Sequence, residues 1–491
     1  ACSCLFVCLT GQRLHSRQVG LIAGMFAALY GPLIFFELEL LAPSLIVFWS
    51  TSGLWLLTGG LQEESRIRLA AGGLCLGIAL VSWPVVGLSC AAIIPVSWWR
   101  LRKDRSRAAA AVLLLLSGIT LPVVPVFLHN ALHGEPAPVS TNGGINYYIG
   151  NNPDWLETIA IRPGYPWERL LTLPLRFYGP EAVEAEGSSS LFYRQAGEYI
   201  RSSPGKYLEA QVLKVYHLLS GYEIMRNTDL YYFKQYSPLL DRLFFSLPWL
   251  KFPLGLLLPL SVAGMLLSPR TMRREHVLLA AYVLGAAAGL FLFFVTARYR
   301  VILVPMLAVY GAAGLRGIVD LLSARNRILW PLLAFLLVLG FVVNGDPLKQ
   351  QQHFNGPVYR AQAPFTLGRV MLEENRPAQA LSWLERSVQI DPSYPDAWVD
   401  LGRAAYALGD TTRAVEAMHR AAAVAPDYPL PYFNLGLIHD QQPSQTALAV
   451  FFYRRYLAAA EGYFEVRIRG TERIRFVTER LRALSSPGQG S

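Results

Sequence analysis

Long uncharged apolar blocks alternate with short polar segments over the first two thirds of the chain. The clearest blocks are Ala108–Leu128, Phe252–Pro269, Val277–Ala297 and Ile328–Gly345. Each has about the length that a helix needs to cross a hydrocarbon core of roughly 30 Å. Because a lipid environment satisfies the backbone only in helices and closed barrels, continuous apolar runs predict helices. The pattern therefore predicts a polytopic, all-α transmembrane domain.

The same pattern divides this domain into two groups of membrane segments. We expect about ten segments, some of them short, at residues 1–10, 19–36, 41–60, 69–83, 84–98, 108–128, 251–268, 277–296, 301–318 and 328–344. Residues 1–128 and 251–345 hold these segments, and residues 129–250 form an insertion between them. In the insertion, Ser202–Phe233 has apolar residues at helical spacing, which predicts an amphipathic helix near the membrane surface.

Composition and charge agree with a membrane protein. The chain is 53% hydrophobic and 16% charged, and its net charge is +10. The basic residues cluster in short loops between spans, so the excess charge follows the positive-inside rule and no nucleic acid partner is predicted. The alternation of spans then places residues 129–250 and everything after residue 346 outside. The five cysteines lie in apolar segments and indicate no disulfide framework.

The last third is polar and carries a repeat. Equivalent residues recur every 34 positions: Gly368, Gly402 and Gly436, each preceded by Leu, and also Pro392 and Pro426. This resembles the tetratricopeptide repeat, in which stacked helix pairs form a solenoid with a concave face. We expect a linker at 346–360, three repeats at 361–460, and a capping helix (Arg467–Leu484) and tail within 461–491. The array is expected to bind a protein or peptide; the alternative is a spacer without a ligand.

Two acidic residues stand inside the apolar run "LYGPLIFFELELLAPSL" (Leu29–Leu45). Charge within a membrane is costly, so acids near the ends of spans are candidates for chemistry. Glu37 or Glu39 could act as a general base or hold a divalent cation such as Mg²⁺ or Mn²⁺. The alternative is two interface acids that face water. Two residues apart in an extended turn, the acids could share one face.

The segment "TNGGINYYIGNNP" (Thr141–Pro153) is rich in Gly, Asn and Tyr, and it predicts a loop. Paired glycines permit close backbone approach, and the amides and phenols supply neutral hydrogen bonds that suit sugar hydroxyls. The candidate sugar- or acceptor-binding residues are Asn142, Asn146, Tyr147, Asn151 and Asn152. The alternative is a structured turn with aromatic anchors.

Two cations stand at the mouth of the apolar run "FFVTARYRVILVPMLAVYG" (Phe293–Gly311). Arginine pairs with phosphate in bidentate fashion, so Arg298 and Arg300 could hold a phosphate at the membrane surface. The alternative is snorkelling of interface cations. In "GYEIMRN", Glu223 could line a groove for donor or acceptor, or it could form a surface ion pair.

Five segments in this order carry a resemblance: "RQVGLIAGMFAALYGPLIFFELELL", "LAAGGLCLGIALVSWP", "NGGINYYIGNNP", "GYEIMRNTDLYYF" and "ARYRVILVPML". From about residue 5 to residue 345 the chain resembles the polytopic GT-C glycosyltransferases. The similar branch contains the dolichyl-phosphate-mannose protein mannosyltransferases and the bacterial lipid A aminoarabinose transferase. A C-terminal tetratricopeptide array is also familiar in bacterial members.

The resemblance implies a reaction and roles for residues. Such enzymes move a sugar from a polyprenyl-phosphate carrier to an acceptor on the outer face of the membrane, with inversion at the anomeric carbon. Glu39 is similar to the second acidic residue of the family pattern, with Glu37 beside it. Arg298 and Arg300 are similar to the phosphate-binding pair, and residues 142–152 to part of the sugar-facing loop.

The chain departs from the family pattern in two places. The main catalytic acid of the family lies in a first outer loop that has no counterpart here, so we expect the sequence to be truncated at its N-terminus. Trp83-Pro84 stands where the family often has Arg-Pro. Two alternatives therefore stay open: an O-antigen-ligase- or polymerase-like enzyme that uses a polyprenyl-diphosphate glycan, and a non-catalytic membrane scaffold. No motif for a soluble cofactor is present.

Overall fold

The computed structural model describes residues 2–39, 42–133, 137–226, 228–268, 273–461 and 471–485. Helices make up nearly all of this part of the chain, which confirms an almost all-α fold. In these ranges the strands are Phe245–Ser246 and Lys251–Phe252, which pair in antiparallel fashion. The chain forms two compact units. The first holds Ala1–Trp155, Phe192–Met225 and Leu230–Gln351, and the second holds Leu156–Leu191, Arg226–Asp229 and Gln352–Ser491.

The first unit is built of apolar helices. Its helices are Cys2–Leu14, Arg17–Ala28, Gly31–Leu38, Ala42–Gln62, Arg66–Ser82, Val86–Leu101, Arg105–Leu132, Gly143–Gly150, Pro204–Leu219, Leu230–Phe233, Pro238–Leu243, Leu254–Leu267, Arg273–Leu292, Ala297–Arg300, Val304–Ser323 and Leu329–Asn344. A 3₁₀ turn covers Lys234–Tyr236. Three further helices contain a boundary between the units: Trp155–Ile159, Ser188–Ser202 and Gln350–Phe354.

Several helices of this unit have the length and composition of membrane spans. Three pass by themselves: Ala42–Gln62, Arg105–Leu132 and Val304–Ser323. Arg17–Ala28 and Gly31–Leu38 pass together but are bent by 54°. The other apolar helices have 10–17 residues. Since a 16-residue helix is about 24 Å long, it is shorter than the hydrocarbon core. Within the described residues, span-length helices are therefore fewer than the ten predicted segments.

Close packing in the first unit depends on small residues. A Cβ on Gly314 would lie 2.0 Å from the carbonyl oxygen of Leu260, and a Cβ on Gly264 would lie 1.9 Å from that of Tyr310. The helices Leu254–Leu267 and Val304–Ser323 therefore touch backbone to backbone. Packing of this kind drives association of apolar helices where lipid removes the hydrophobic effect.

The second unit contains the predicted repeat array. Its helices are Tyr165–Leu171, Leu173–Glu186, Pro357–Arg360, Gln362–Glu373, Pro377–Ile390, Pro395–Ala407, Thr411–Val424, Pro429–Asp440, Thr446–Ala460 and Thr471–Ser485. A 3₁₀ turn precedes Thr446 at Pro443–Gln445. Six of these helices form three consecutive pairs between residues 362 and 460, as the repeat predicted.

The 34-residue spacing of glycine has a steric cause. Each repeated glycine lies in the first helix of a pair, where a Cβ would approach a side chain of the second helix to 2.5–2.8 Å. The glycines and the residues they face are Gly368 with Leu384, Gly402 with Met418 and Gly436 with Tyr453. After the third pair, the helix Thr471–Ser485 packs on Thr446–Ala460. It accounts for most of the predicted capping helix, whose residues 467–470 lie outside the described ranges.

Three local predictions need correction. The segment Thr141–Pro153 is not a loop throughout, because Gly143–Gly150 is helical. The predicted linker 346–360 contains the helices Gln350–Phe354 and Pro357–Arg360. The insertion 129–250 does not form one region, because its residues 156–191 and 226–229 belong to the second unit. The amphipathic helix predicted in Ser202–Phe233 is present as Pro204–Leu219, and it ends before the "GYEIMRN" segment.

Candidate functional site

Arg300 lies at the end of the short helix Ala297–Arg300 and is 3% exposed. Its Nη2 donates to Glu223 Oε2 at 2.7 Å and to the carbonyl oxygen of Tyr222 at 2.9 Å. Its Nη1 donates to the carbonyl oxygens of His217 and Ser220, which follow each other around the end of the helix Pro204–Leu219. Both terminal nitrogens are thus engaged within the protein. The predicted phosphate role for Arg300 would require it to give up these bonds, so its geometry is that of a structural arginine.

Glu223 completes this buried node. It is 1% exposed, and its Oε1 accepts a hydrogen bond of 3.0 Å from the hydroxyl of Tyr30. The backbone N–H of Glu223 donates to the hydroxyl of Tyr231 at 3.1 Å. A carboxylate with both oxygens engaged is not available to a sugar or an acceptor. The ion pair that was one of the two sequence-based interpretations is present, but it is buried and its partner is Arg300.

Arg298 has a different environment from Arg300, although the two residues share the helix Ala297–Arg300. Its side chain is half-buried, and its guanidinium lies 5.9 Å from the ring centroid of Tyr299. Its Nε is buried without a hydrogen-bond partner among the described residues. The Nε of Arg300 is also buried without a partner there, so the two cations differ in exposure: Arg298 is half-buried, whereas Arg300 is enclosed by the protein.

Glu39 lies near Arg298. It caps the C-terminus of the helix Gly31–Leu38, with φ −72° and ψ −3°. Partial burial raises the pKa of Glu39, and the positive charge of Arg298 acts against this increase. The structure therefore brings together one acid and one cation from two segments that are about 260 residues apart in the sequence.

Glu37 and Glu39 do not share a face, and that expectation is wrong. Residues 31–38 are helical, so side chains two positions apart point in different directions. Glu37 is half-buried in the last turn of the helix, whereas Glu39 is exposed at its end. The positive charge of Arg298 acts on the carboxyl group of Glu39.

Asn151 and Asn152 are buried and engaged with the fold. The amide of Asn151 donates to the carbonyl oxygens of Tyr147 and Leu292, both at 2.8 Å. The amide of Asn152 donates to the carbonyl oxygen of Tyr148 at 2.7 Å, and its Oδ1 accepts from the backbone N–H of Asp154 at 2.8 Å. These amides close the end of the helix Gly143–Gly150, so a direct contact with a sugar is not their geometry.

Three of the predicted segments meet at one cavity of about 370 Å³. Its wall includes Trp83 and Pro84, which end the segment "LAAGGLCLGIALVSWP", and Gly143 and Asn146 from the Asn-rich segment. Phe293, Phe294 and Tyr299 from the segment "FFVTARYRVILVPMLAVYG" complete it. The rings of Trp83 and Tyr299 lie 4.7 Å apart. The lining is mainly apolar and aromatic, with a few polar groups that include Ser140 and Asn146. A cavity of this chemistry suits a hydrocarbon chain better than a bare sugar.

The remaining candidates border this cavity in different ways. Asn146 is half-buried, and its amide donates to the carbonyl oxygen of Asn142 at 2.9 Å. Tyr147 packs its ring 5.4 Å from that of Tyr193 and 6.0 Å from that of Phe293. Asn142 is exposed. Asn146 therefore lines the cavity, Tyr147 supports its wall, and Asn142 faces solvent.

Lys214 is a buried cation that the sequence did not single out. It is 0% exposed, and its Nζ donates to Asn151 Oδ1 at 3.0 Å and to the carbonyl oxygen of Phe291 at 3.4 Å. Burial lowers the pKa of Lys214 to about 7. No signal in the sequence identified it, because the helix Pro204–Leu219 buries Gln211 and His217 along with Lys214 and exposes its apolar residues Leu208 and Val212. Lys214 and Asn151 together tie the Asn-rich segment to the end of the helix Arg273–Leu292.

No group of three or more His, Cys, Asp or Glu side chains within the described ranges is arranged to hold a metal ion. A divalent cation remains a prediction from the sequence.

Comparison with known proteins bears on the second unit. A family model described as the tetratricopeptide repeat matches residues 371–434. The match begins in the helix Gln362–Glu373 and ends in the helix Pro429–Asp440, so it covers the centre of the three helix pairs. No curated protein matches the chain. The second unit thus contains tetratricopeptide repeats, which are a module for binding proteins.

Proposed function

We propose that this chain is a membrane glycosyltransferase that moves a sugar from a polyprenyl-phosphate donor to an acceptor on the outer face of a bacterial inner membrane. The observation that supports it is the placement of Glu39 near Arg298, whose neighbour Tyr299 lines the cavity at Trp83. A lipid-linked sugar needs an apolar cleft, a cation for phosphate and a base for the acceptor. These three features occur together in the first unit.

The proposed roles follow from the chemistry of the donor. The isoprenoid end of the donor lies against the aromatic wall formed by Trp83, Phe294 and Tyr299. Arg298 pairs with the phosphate, because a guanidinium offers two parallel donors to phosphate oxygens. Arg300 does not bind the phosphate in this proposal. It fixes the short helix that carries Arg298 by holding Glu223 and the end of the helix Pro204–Leu219.

The transfer step balances without an added reactant. The oxygen of an acceptor hydroxyl attacks the anomeric carbon of the sugar, and the bond between this carbon and the phosphate oxygen breaks. Glu39 accepts the hydroxyl proton, and the raised pKa of its carboxyl group favours this role. Polyprenyl phosphate leaves with the bonding electron pair, and Arg298 stabilises its negative charge. The tetratricopeptide unit binds a protein partner or holds the acceptor.

The test separates lipid binding from transfer. The full chain is purified in detergent, and its affinity for a fluorescent polyprenyl phosphate is measured beside sugar release from a radiolabelled polyprenyl-phosphate sugar. We expect Arg298→Ala to weaken lipid phosphate binding at least about tenfold, the effect of losing about 1.4 kcal/mol. We expect Glu39→Gln to leave binding unchanged and to lower release. Arg327→Ala removes an exposed cation elsewhere in the same unit and serves as the matched control.

Equal affinities for wild type and Arg298→Ala would overturn the phosphate role. Preference for a polyprenyl-diphosphate glycan would favour the ligase- or polymerase-like alternative. Absence of saturable lipid binding by the folded wild type would favour the scaffold, which the tetratricopeptide match supports as the second candidate.

A further inference from the structure

The second unit contains a short segment, Arg162–Tyr165, that inserts four consecutive residues, Arg-Pro-Gly-Tyr, among acidic residues of the tetratricopeptide array. We propose that the array has a binding site for an Arg-Pro-Gly-Tyr turn. The chain's own segment occupies this site, and a peptide of the same chemistry binds there when that segment is displaced. The proposal concerns the second unit alone and does not depend on the transferase activity.

The arginine of the turn is recognised on two sides. Arg162 is 6% exposed, and its Nη2 donates to Asp391 Oδ2 at 2.8 Å. Its Nη1 donates to the carbonyl oxygen of Val358 at 3.3 Å. Its guanidinium lies 3.5 Å from the ring centroid of Tyr394, so the planar cation stacks on an aromatic face. Lysine cannot make this combination, because it has no planar group to stack while it pairs with a carboxylate.

The turn needs a glycine at position 164 because its backbone lies close to the carboxylate of Asp396. Gly164 has φ +105°, a conformation that L side chains rarely adopt. A Cβ there would lie 2.4 Å from Asp396 Oδ1. The close approach lets the next backbone N–H, that of Tyr165, donate to both oxygens of Asp396 at 3.1 and 3.2 Å. The hydroxyl of Tyr428 donates to Asp396 Oδ1 at 3.0 Å.

The tyrosine of the turn is recognised through its ring and its hydroxyl. Tyr165 is 6% exposed and belongs to the hydrophobic core of the array together with Val399 and Tyr428. Its ring lies 4.9 Å from that of Tyr428, and its hydroxyl donates to Asp427. Further along the segment, Arg176 Nη2 donates to Asp427 Oδ2 at 2.9 Å. Phenylalanine would keep the ring contact but lose the hydrogen bond.

The three acids occupy related places in the array. Asp391 and Asp427 lie in the connections that precede the helices Pro395–Ala407 and Pro429–Asp440, and Asp396 lies in the first turn of the former. All three fall within the residues that match the tetratricopeptide model. Acidic side chains beside aromatic rings favour a ligand that carries a cation and a phenol. Because four adjacent residues make most of the contacts, a short peptide carries what the site recognises.

The experiment empties the site by mutating the chain's own segment and then supplies the same segment as a separate peptide. The double variant Arg162→Ala/Tyr165→Ala is titrated into a fluorescein-labelled peptide of residues 159–178, and binding is followed by anisotropy. We expect saturable binding to the variant and at least tenfold weaker binding to wild type, whose site is occupied. A peptide with Gly164→Ala is the matched control and is expected to bind at least tenfold more weakly. Asp391→Asn added to the vacated variant is expected to reduce binding as well.

Three results would overturn the proposal. They are no saturable binding by a vacated variant that unfolds cooperatively, equal binding by wild type and variant, and equal binding of the Gly164→Ala peptide. If the double variant does not fold, Arg162→Lys replaces it, since this change keeps the charge and removes the stacking. Binding of the peptide to folded Arg162→Lys must then exceed binding to wild type, and failure to do so also overturns the proposal.

Discussion

The two units of this protein both bury an arginine against a carboxylate, but they do so within very different exteriors. In the first unit, Arg300 pairs with Glu223. In the second unit, Arg162 pairs with Asp391. Around the first pair, the helix Leu329–Asn344 exposes large apolar side chains, three of which are more than 70% exposed: Trp330, Leu337 and Phe341. Around the second pair, the repeat helices bury alanine, glycine and aromatic residues and expose polar ones.

The comparison separates two uses of a buried cation. Arg300 donates most of its hydrogen bonds to backbone carbonyl oxygens at and just after a helix end, which have no intrahelical partner. Arg162 donates to one carboxylate and one backbone carbonyl oxygen, and it stacks on an aromatic ring. The first arrangement satisfies backbone carbonyl oxygens and engages both terminal nitrogens of the guanidinium. The second reads side-chain chemistry, as a binding site does.

The largest expected effect is that of Arg300→Ala. Removing the cation leaves Glu223 charged and buried and deprives several carbonyl oxygens of their donor, so we expect the first unit to lose roughly 4–5 kcal/mol of unfolding free energy. Arg298→Ala, two residues away and half-buried, is the matched control and should cost less than about 1 kcal/mol. Thermal unfolding in detergent measures both. Similar losses for the two variants would contradict the contrast drawn between them.

A somewhat smaller effect is expected in the second unit. Arg162→Ala leaves Asp391 buried without its cation and should lower the stability of this unit by roughly 3 kcal/mol. Arg176→Ala removes an arginine of the same segment whose ion pair with Asp427 is about two-fifths exposed, and it should cost less than about 1 kcal/mol. Hydrogen exchange of the repeat helices checks both variants. Protection that is unchanged in Arg162→Ala would show that the segment is not part of the unit's stable core.

The smallest expected effect, counted per pH unit, is a change in pH dependence. Burial lowers the pKa of Lys214 from 10.5 to about 7. Between these values the unfolded chain binds a proton that the folded chain lacks, so stability rises with pH, by at most about 1.4 kcal/mol per unit. Lys214→Met should remove this slope between pH 7 and 10, whereas Lys206→Met, an exposed lysine of the same helix, should keep it. Thermal unfolding across this range provides the measurement. If stability depends on pH in the same way in Lys214→Met and in wild type, the lowered pKa of Lys214 is refuted.

Regular patterns were sufficient to predict the repetitive part of the fold. The three helix pairs between residues 362 and 460 follow from the 34-residue spacing, because each repeated glycine meets a side chain in the same relative place. The break between the helices Arg66–Ser82 and Val86–Leu101 follows from "SWP", since proline disfavours a helical residue before it. Hydropathy also located the apolar runs, but it did not show which of them form helices of span length, because it does not reveal where an apolar run bends or stops.

The candidate site was predicted in part. The sequence marked Glu39, Arg298 and the Asn-rich segment as places where polar groups meet an apolar run. It gave Arg298 and Arg300 the same role, because two arginines in one tetrapeptide look alike without their neighbours. It also missed Lys214, because the side of the helix Pro204–Leu219 that is buried carries polar residues, whereas apolar residues such as Leu208 and Val212 are exposed.

The sequence by itself determined an almost all-helical chain, the apolar character of the first two thirds and the tetratricopeptide repeats of the last third. These properties are local or periodic, so composition and the spacing of residues are enough to predict them. Contacts in the folded chain were needed to show that Arg300 is enclosed with Glu223 while Arg298 is half-buried, that the charge of Arg298 acts on Glu39, and that residues 156–191 belong with the repeats. These facts depend on contacts between residues far apart in the chain, and no local pattern records which distant partner a side chain will meet.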